Sequence, residues 1–223
     1  MKKLLVVGII LFLVGVSIPS TGRLMEQPSP VSSDGTTLYV GGSGEGNYTK
    51  IQDAIDDAVD GDTVFVYNGT YVENVVVNKS ISLIGENRNI TIIDGNKGGD
   101  VIEINADYVT ISRLTIQNSS GWPDSGIRIE KNYNYTTISE NNIIYNNDGI
   151  WINDGSSFNN ISDNNIYFNY EDGVSIWLYS KGVIVRGNNI SNNGRRGVFS
   201  PIWSDGIRII NNKIFKNEWG GTQ

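Results

Sequence analysis

Two aspartates and one arginine occupy the same place in successive copies of a repeated phrase. Asp148, Asp172 and Arg196 each stand directly before a glycine and follow one another at intervals of 24 residues. If the copies stack, the two carboxyl groups lie about 5 Å apart, which suits the acid and nucleophile of a retaining glycosidase, with Arg196 as the base in a lyase. With Glu171 they could instead supply oxygen ligands to calcium. A structural interpretation stays open, because Asp is favoured in turns before Gly and Arg196 would neutralise its neighbours.

A second set of residues lies on the strands that follow those glycines. Its members stand two or four residues after a glycine: Arg128, Trp151, Trp177 and Phe199. We expect them to be exposed on one face, rimmed by the acidic residues. A flat apolar ring with polar neighbours matches the face of a pyranose sugar. The sequence therefore predicts a carbohydrate-binding surface, and the alternative is that the rings pack under a loop or against another chain.

The composition limits the chemistry further. The 223 residues include no histidine and no cysteine, and the formal net charge is −7. Metal sites built on imidazole or thiolate, and Ser-His or Cys-His nucleophile pairs, are therefore excluded. What remains is carboxylate, Lys, Arg or Tyr chemistry, so we expect no cofactor other than calcium. The acidic balance and the scattered basic residues also argue against nucleic acid as a partner.

The repeated phrase has a nearly constant period. The isoleucines that follow its paired asparagines are Ile143, Ile166, Ile190 and Ile214, at spacings of 23, 24 and 24 residues. The asparagines that keep step are Asn141, Asn164, Asn188 and Asn212 before the isoleucine and Asn146, Asn169, Asn193 and Asn217 after it. A fixed period in the twenties indicates a solenoid, either a leucine-rich repeat or a parallel β-helix. Leucine is scarce after residue 24 and β-branched residues fill short runs, which favours the β-helix.

We therefore predict an all-β solenoid, a parallel β-helix of about seven coils of roughly 22–24 residues within residues 63–223. Alternate residues of each strand, such as Ile150 and Ile152, should point inward. Coils that stack at the strand spacing of about 4.8 Å would align the asparagines into amide ladders. We expect the asparagines to take the left-handed backbone conformation at the bends, and the glycines to mark the bend before the next strand.

The N-terminal residues read as an export signal and a linker. Lys2 and Lys3 precede 13 apolar residues and then small polar ones, which is typical of a signal peptide over residues 1–22. The apolar stretch is shorter than the roughly 18 to 20 residues that span a bilayer. We therefore expect no membrane span in the mature chain. Residues 23–37, rich in Pro and Ser, are predicted to be a linker.

Residues 38–62 are predicted to cap the first coil. Apolar residues recur at helical spacing between Thr49 and Gly61, where Thr49 with Gln52 fits a capping box and Gly61 fits a helix stop. A helix here would cover the open edge of the first coil. At the other end, Gln223 stands where a further strand should begin. We expect an incomplete β-helix over residues 63–223, or an end-to-end contact of its uncapped edge with a partner.

These segments carry a family likeness. The run IQDAIDDAVDGDTVFVYNGTYVENVVVNKSISLIGENRNITIIDGN, then DYVTISRLTIQN and the asparagine–glycine copies, resembles the right-handed parallel β-helix (pectin-lyase-like) superfamily over residues 38–223. It looks similar in particular to NosD-like β-helix proteins and to related secreted or surface proteins of archaea and bacteria. The resemblance implies a right-handed coil. NosD-like proteins are associated with copper delivery for nitrous oxide reductase, and we do not expect that role here, because soft and imidazole ligands are missing.

Enzymes of the superfamily are matched incompletely. Residues 69–73, GTYVE, resemble an element of pectin esterases, but the downstream Asp motifs and the Arg-Pro-Trp element of that family are missing. Polygalacturonase-like hydrolases rely on a histidine, and epimerase relatives on an Asp-Pro-His-Glu element, that are also missing. Our leading hypothesis is a secreted or cell-surface module, periplasmic in a Gram-negative bacterium, with a structural, adhesive or carbohydrate-binding role. The alternative is a polysaccharide lyase, hydrolase or epimerase.

Eight Asn-x-Ser/Thr sequons could carry glycans in an exported protein. They begin at Asn47, Asn68, Asn78, Asn89, Asn118, Asn134, Asn160 and Asn189. Asn118 and Asn189 lie in or beside the predicted ladders, so we expect both to be poor acceptors.

Overall fold

The computed structural model describes residues 35–201 and 203–221. The predicted signal peptide, and all of the predicted linker except residues 35–37, lie outside the described residues. One helix and a succession of short strands make up the described chain. In chain order they are β1 (Thr37–Val40), α1 (Ile51–Asp57), β2 (Thr63–Val66), β3 (Gly69–Val72), β4 (Val75–Val77), β5 (Ser82–Gly85), β6 (Thr91–Asp94), β7 (Ile102–Ile104), β8 (Thr110–Ser112), β9 (Thr115–Gln117), β10 (Ser125–Ile129), β11 (Thr137–Ser139), β12 (Asn142–Ile144), β13 (Asp148–Ile152), β14 (Asn160–Ser162), β15 (Asn165–Tyr167), β16 (Val174–Ile176), β17 (Ile184–Arg186), β18 (Asn189–Ser191), β19 (Val198–Phe199), β20 (Arg208–Ile210) and β21 (Lys213–Phe215).

The strands form three parallel sheets that wrap around a common axis. Sheet A has the order β1-β2-β5-β8-β11-β14-β17-β20, sheet B β21-β18-β15-β12-β9-β6-β3, and sheet C β19-β16-β13-β10-β7-β4. Each coil visits A, B and C in turn, so strands of neighbouring coils pair and strands of one coil do not. This is a parallel β-helix of about seven coils, and the predicted fold class is confirmed.

The coil length is nearly constant only in the second half of the molecule. Thr137, Asn160, Ile184 and Arg208 are successive register partners in sheet A, and they follow one another at the predicted period. Earlier coils are less regular, since the step from Thr63 to its partner Ser82 is shorter than this period and the step from Ser82 to Thr110 is longer. The predicted coil length is therefore met by the asparagine-rich coils and not by the earlier ones.

The interior is a narrow apolar column. Ile127, Ile150, Val174 and Val198 are register partners in sheet C and are fully buried. Isoleucine and valine dominate the other inward positions as well, because a branched side chain fills the space above and below its own coil. The inward alternation expected from the sequence is confirmed.

Two amide ladders run along the corners of the β-helix. The first ladder, between sheets A and B, consists of Asn141, Asn164, Asn188 and Asn212, and the second, between sheets B and C, of Asn146, Asn169, Asn193 and Asn217. In the first, each Nδ2 donates to the Oδ1 of the next coil over 2.9–3.1 Å. The same Oδ1 atoms also accept the backbone N–H of the coil before. The predicted ladders are confirmed, and they satisfy buried polar groups that no strand pairing reaches.

The backbone at these bends differs from the expectation. The left-handed residue is the one before each ladder asparagine, as at Glu140 with φ 57° and Asp163 with φ 57°. Neither Asn141 nor Asn164 has a positive φ. The asparagine must point inward to join the ladder, so the outward-facing residue before it takes the strained conformation.

The repeated glycines also serve another purpose than expected. Gly126, Gly149, Gly173 and Gly197 are absent from the positive-φ residues. A Cβ on Gly149 would instead collide with the carbonyl oxygen of Gly173 and crowd Asn169 of the second ladder. Glycine is needed there because neighbouring coils approach too closely for any side chain.

Helix α1 covers the start of the β-helix as predicted, but it is shorter and is capped differently. Its buried residues Ile51 and Ile55 face the core, and Gln52 exchanges hydrogen bonds with the backbone of Val76 on the edge strand β4. The capping box is not formed. The carboxylate of Glu73 accepts the N–H groups of Ile51 and Gln52, and Lys79 Nζ donates to two carbonyls of the last turn. Residues of the following coil thus hold both ends of the helix dipole.

Candidate functional site

Stacking of the coils brings the predicted site residues together on the outer face of sheet C. Ser125 and Asp148 are register partners, and so are Trp151, Ser175 and Phe199. All of these residues except Ser125 line a cavity of about 310 Å³, at the lower end of the range of small-molecule sites, about 300–1,000 Å³. Its lining residues are Trp122, Asp148, Trp151, Glu171, Asp172, Ser175, Trp177, Arg195, Arg196 and Phe199.

The floor of the cavity is a hydrogen-bonded acidic pair. Ser175 Oγ lies 3.1 Å from Asp148 Oδ1 and 3.3 Å from Asp172 Oδ2. The backbone N–H of Asp172 donates to Asp148 Oδ1. Arg196 binds Asp172 with two side-chain bonds, Nε to Oδ1 at 3.0 Å and Nη2 to Oδ2 at 2.8 Å. The neighbours predicted from the sequence are therefore in contact, with Arg196 fully committed to one of the two carboxylates.

The two aspartates have unequal surroundings. Burial raises the pKa of Asp148 to about 7, and the nearby negative charges of Asp172 and Glu171 raise it as well. The hydrogen bonds from Asp172 N–H and Ser175 oppose that rise. Asp148 has no guanidinium partner among the described residues, since Arg196 pairs with Asp172. With this pKa, Asp148 carries its proton about half of the time at neutral pH.

A second, more exposed ion pair forms the rim. Arg195 Nη1 donates to Glu171 Oε2 over 2.6 Å, and this bond raises the pKa of Arg195. The guanidinium also lies 4.4 Å from the ring centroid of Trp219. Both partners retain about a third of their side-chain exposure, so water screens this pair more than it screens the buried pair of Arg196 and Asp172.

The aromatic residues do not form the exposed platform that the sequence predicted. Trp151 is only 8% exposed. Its ring stacks on that of Trp177 with centroids 4.9 Å apart, and Trp177 meets Phe199 edge to face. The rings stand across the coils and stack on one another, because residues on neighbouring coils are close enough for ring-to-ring contact. The expectation of exposure is wrong for Trp151.

Arg128 is the register partner of Trp151 on the preceding coil and does not line the cavity. The buried guanidinium bonds Asp100 Oδ2 over 2.6 Å, donates to the carbonyl oxygen of Pro123 and lies 4.9 Å from the ring centroid of Trp151. Both faces of Trp151 are thus covered, one by Arg128 and the other by Trp177. The predicted direct role of Arg128 in binding stays untested, and its geometry suits positioning of Trp151.

Sequence reasoning missed Trp122 and Arg195. Trp122 is 75% exposed and belongs to the segment between β9 and β10, which is longer than its counterparts in later coils. That insertion was the available signal, but a residue outside the period cannot be placed by counting. The signal for Arg195 was that the residue at this position, directly before Arg196, differs from the corresponding residues in the other copies of the repeated phrase.

The calcium alternative gains no support from the geometry. Among the described residues, no group of three or more acidic side chains is placed to hold a metal ion. Both oxygens of Asp172 already accept hydrogen bonds from Arg196. The proposed ligands Asp148, Glu171 and Asp172 remain a prediction without a test.

The sequons differ in how their carboxamides are engaged. Asn68 and Asn78 are exposed, whereas Asn118 Nδ2 donates to Asp94 and Asn189 Oδ1 is buried. The engagement of Asn118 and the burial of Asn189 agree with the expectation that both are poor acceptors. Occupancy of any sequon is untested.

A family model described as a right handed beta helix region matches residues 36–214. No helix among the described residues is both long enough and apolar enough to cross a membrane.

A curated relative and several solved structures are also similar. A cell surface glycoprotein of Methanothermus fervidus is 39% identical in a match that covers 34% of this chain and 17% of that protein. Pectate lyase Pel9A superposes with TM-score 0.65 and 18% identity, over 81% of this chain and 55% of the enzyme. Carrot pectin methylesterase gives 0.60 and 17%, over 86% and 65%. The chain thus spans less than two thirds of each of these three proteins. The identities of 18% and 17% to the two enzymes show a shared fold alone.

Proposed function

The chain belongs to the right-handed β-helix family, and from this premise we propose that it is a cell-surface module that binds carbohydrate in the cavity on sheet C. The likeness to a cell surface glycoprotein supports the location. Adhesion to a glycan, without catalysis by this chain, is the role that the cavity supports best.

One observation carries this proposal: the cavity combines an exposed indole with buried polar groups. The exposed ring of Trp122 can stack on a sugar face, while Asp148, Ser175 and Glu171 offer acceptors and donors to its hydroxyls. The indole N–H groups of Trp151 and Trp177 are buried, and neither has an acceptor among the described residues. An unpaired buried donor raises the free energy of the site, and a hydroxyl that reaches it relieves that cost.

The engagement of the acidic pair argues against catalysis. A nucleophile needs a free ionised carboxylate, but both oxygens of Asp172 bind Arg196. As the base of a lyase, Arg196 would have to leave the same ion pair.

One feature favours the alternative of a hydrolase or lyase, namely that a pKa of about 7 suits Asp148 as a general acid. Release of reducing or unsaturated ends from polysaccharides, abolished in Asp148→Asn, would establish that alternative.

The binding proposal is tested by removing the exposed ring. We expect Trp122→Ala to weaken retention of the full chain in polysaccharide-containing native gels by roughly fivefold or more, because a stacked aromatic contact contributes about 1 kcal/mol. Trp203→Ala is the matched control, since Trp203 is 65% exposed and does not line the cavity. Equal retention of both variants and the parent chain would contradict the proposal.

A further inference from the structure

The cationic groups at the cavity are all neutralised within the protein. Arg195 pairs with Glu171 at 2.6 Å, and Arg196 pairs with Asp172 at 2.8 Å. On the preceding coil, Arg128 pairs with Asp100. Among the described residues that line the cavity, no guanidinium is left without a carboxylate partner.

Further acidic groups lie close to these pairs. Glu130 lies 3.7 Å from Arg128, and burial, followed by the charge of Asp100, raises the pKa of Asp124. Asp148 stands beside Asp172 with no cation of its own. The lining of the cavity itself holds three acidic groups against the two guanidinium groups of Arg195 and Arg196, so it carries no net positive charge whether Asp148 is ionised or protonated.

We infer that the cavity selects an uncharged glycan, built of neutral hexose or pentose units, and discriminates against uronate polymers. This inference rests on the proposed function and names its ligand class. A polyuronate carries a carboxylate on every sugar, which would lose water without gaining a cation here. A neutral pyranose instead brings hydroxyls, which donate to the carboxylates and accept from the N–H groups that the ion pairs leave unused. Arg195 Nε is one such buried donor without a partner among the described residues.

The shared fold does not predict this preference. A solved structure of similar architecture is a pectate lyase, at 18% identity. Identity this low carries the backbone arrangement, whereas ligand class is set by the side chains on sheet C.

The first experiment compares ligand classes on one protein. The full chain is run in native gels that contain neutral glucan, mannan or xylan, or polygalacturonate or alginate, at physiological salt. We expect retention by at least one neutral polymer and none by the uronates. Stronger retention by a uronate would overturn the inference and leave carbohydrate binding intact. Retention by no polymer would overturn the proposed function, and the inference would fall with it.

The second experiment changes one charge at the rim. Glu171→Gln removes the partner of Arg195 in a half-exposed pair, so the backbone and the buried floor stay as they are. We expect the ratio of polygalacturonate affinity to neutral-glycan affinity to rise by roughly two- to fivefold, as a single partly exposed charge contact predicts.

The matched control for this change is Asp154→Asn. Asp154 pairs with Lys131 at 3.6 Å, with both side chains exposed, and neither residue lines the cavity. The net charge changes by the same amount, so we expect no gain in uronate binding. An equal gain in both variants would show a nonspecific charge effect, and no gain in Glu171→Gln would show that charge pairing does not exclude uronates. Either result overturns the inference.

Discussion

The amide ladders and the cavity are built by the same stacking, yet they contain opposite kinds of column. In the first ladder each of four successive coils contributes an asparagine, so each carboxamide meets an identical partner at 2.9–3.1 Å. In the column that enters the cavity, the equivalent residues are Ser125, Asp148, Asp172 and Arg196. Unlike groups at the same spacing produce the ion pair of Arg196 with Asp172, the raised pKa of Asp148 and a concave surface.

This difference separates structure from function within one repeat. A uniform column satisfies its own polar groups and adds stability with each coil. Mixed columns leave groups imperfectly paired: Asp148 lacks a cation partner, and in the neighbouring column of Arg128, Trp151 and Ser175 the indole N–H of Trp151 has no acceptor among the described residues. Residues available to a ligand are therefore concentrated where the repeat varies.

The sharpest way to break this comparison is to interrupt the uniform column. Asn164→Ala removes an Oδ1 that accepts from the backbone N–H and Nδ2 of Asn141, and an Nδ2 that donates to Ile138 O and Asn188. Because several buried groups lose their partners, we expect the free energy of unfolding to fall by about 5 kcal/mol. Urea denaturation followed by circular dichroism measures the change.

Asn165→Ala is the control for this substitution. Asn165 lies one residue further on, is partly exposed, and its Nδ2 makes one bond, to Asn142 Oδ1. We expect it to cost about 1 kcal/mol or less. Similar losses for the two variants would contradict the assignment of stability to the ladder.

The mixed column predicts a smaller, pH-dependent effect. The pKa of Asp148 is about 7 in the folded chain and 3.8 as the reference value for an unperturbed side chain. Between these values the folded state holds a proton that the unfolded state has lost, so stability falls as pH rises from about 4 to about 7. Asp148→Asn keeps the acceptor oxygen and removes the titration. We expect the parent chain to lose a few kcal/mol relative to this variant across that window.

Urea denaturation at several pH values checks this expectation. The exposed Asp154→Asn serves as the reference for removal of a carboxylate outside the cavity. If the parent chain and Asp148→Asn keep parallel stability curves from pH 4 to 8, the pKa of Asp148 is not raised in the folded chain.

The constant period of the repeat was enough to predict the features that recur in each copy. The regular spacing in the second half of the chain sufficed to place both ladders, the inward isoleucines and the contact of Asp148 with Asp172. The same counting could not assign the left-handed residue. Asparagine tolerates that conformation, but the need for inward amides moves it to residues such as Glu140 and Tyr145.

Features outside the period were not predictable. Trp122 lies in an insertion between β9 and β10, and the burial of Trp151 depends on Arg128 and Trp177 lying against its two faces. The capping of α1 by Glu73 and Lys79 is tertiary, so a local capping rule could not find it. The position of Trp122 and the contacts that bury Trp151 and cap α1 depend on connections of variable length and on tertiary contacts. The repeat period gives no information about either.

Distances between spin labels on the outer face of sheet A test the regular stacking most directly, and a chain without cysteine allows clean labelling. One label is placed at Arg208, and the second is placed, in three separate samples, at Thr137, Thr110 or Ser82. These positions lie three, four and five coils from Arg208 in the register. Pulsed electron paramagnetic resonance should give narrow distributions whose centres increase by about 4.8 Å per coil. Broad distributions, or centres that do not rise with coil number, would contradict the stacked register on which the ladders and the cavity both depend.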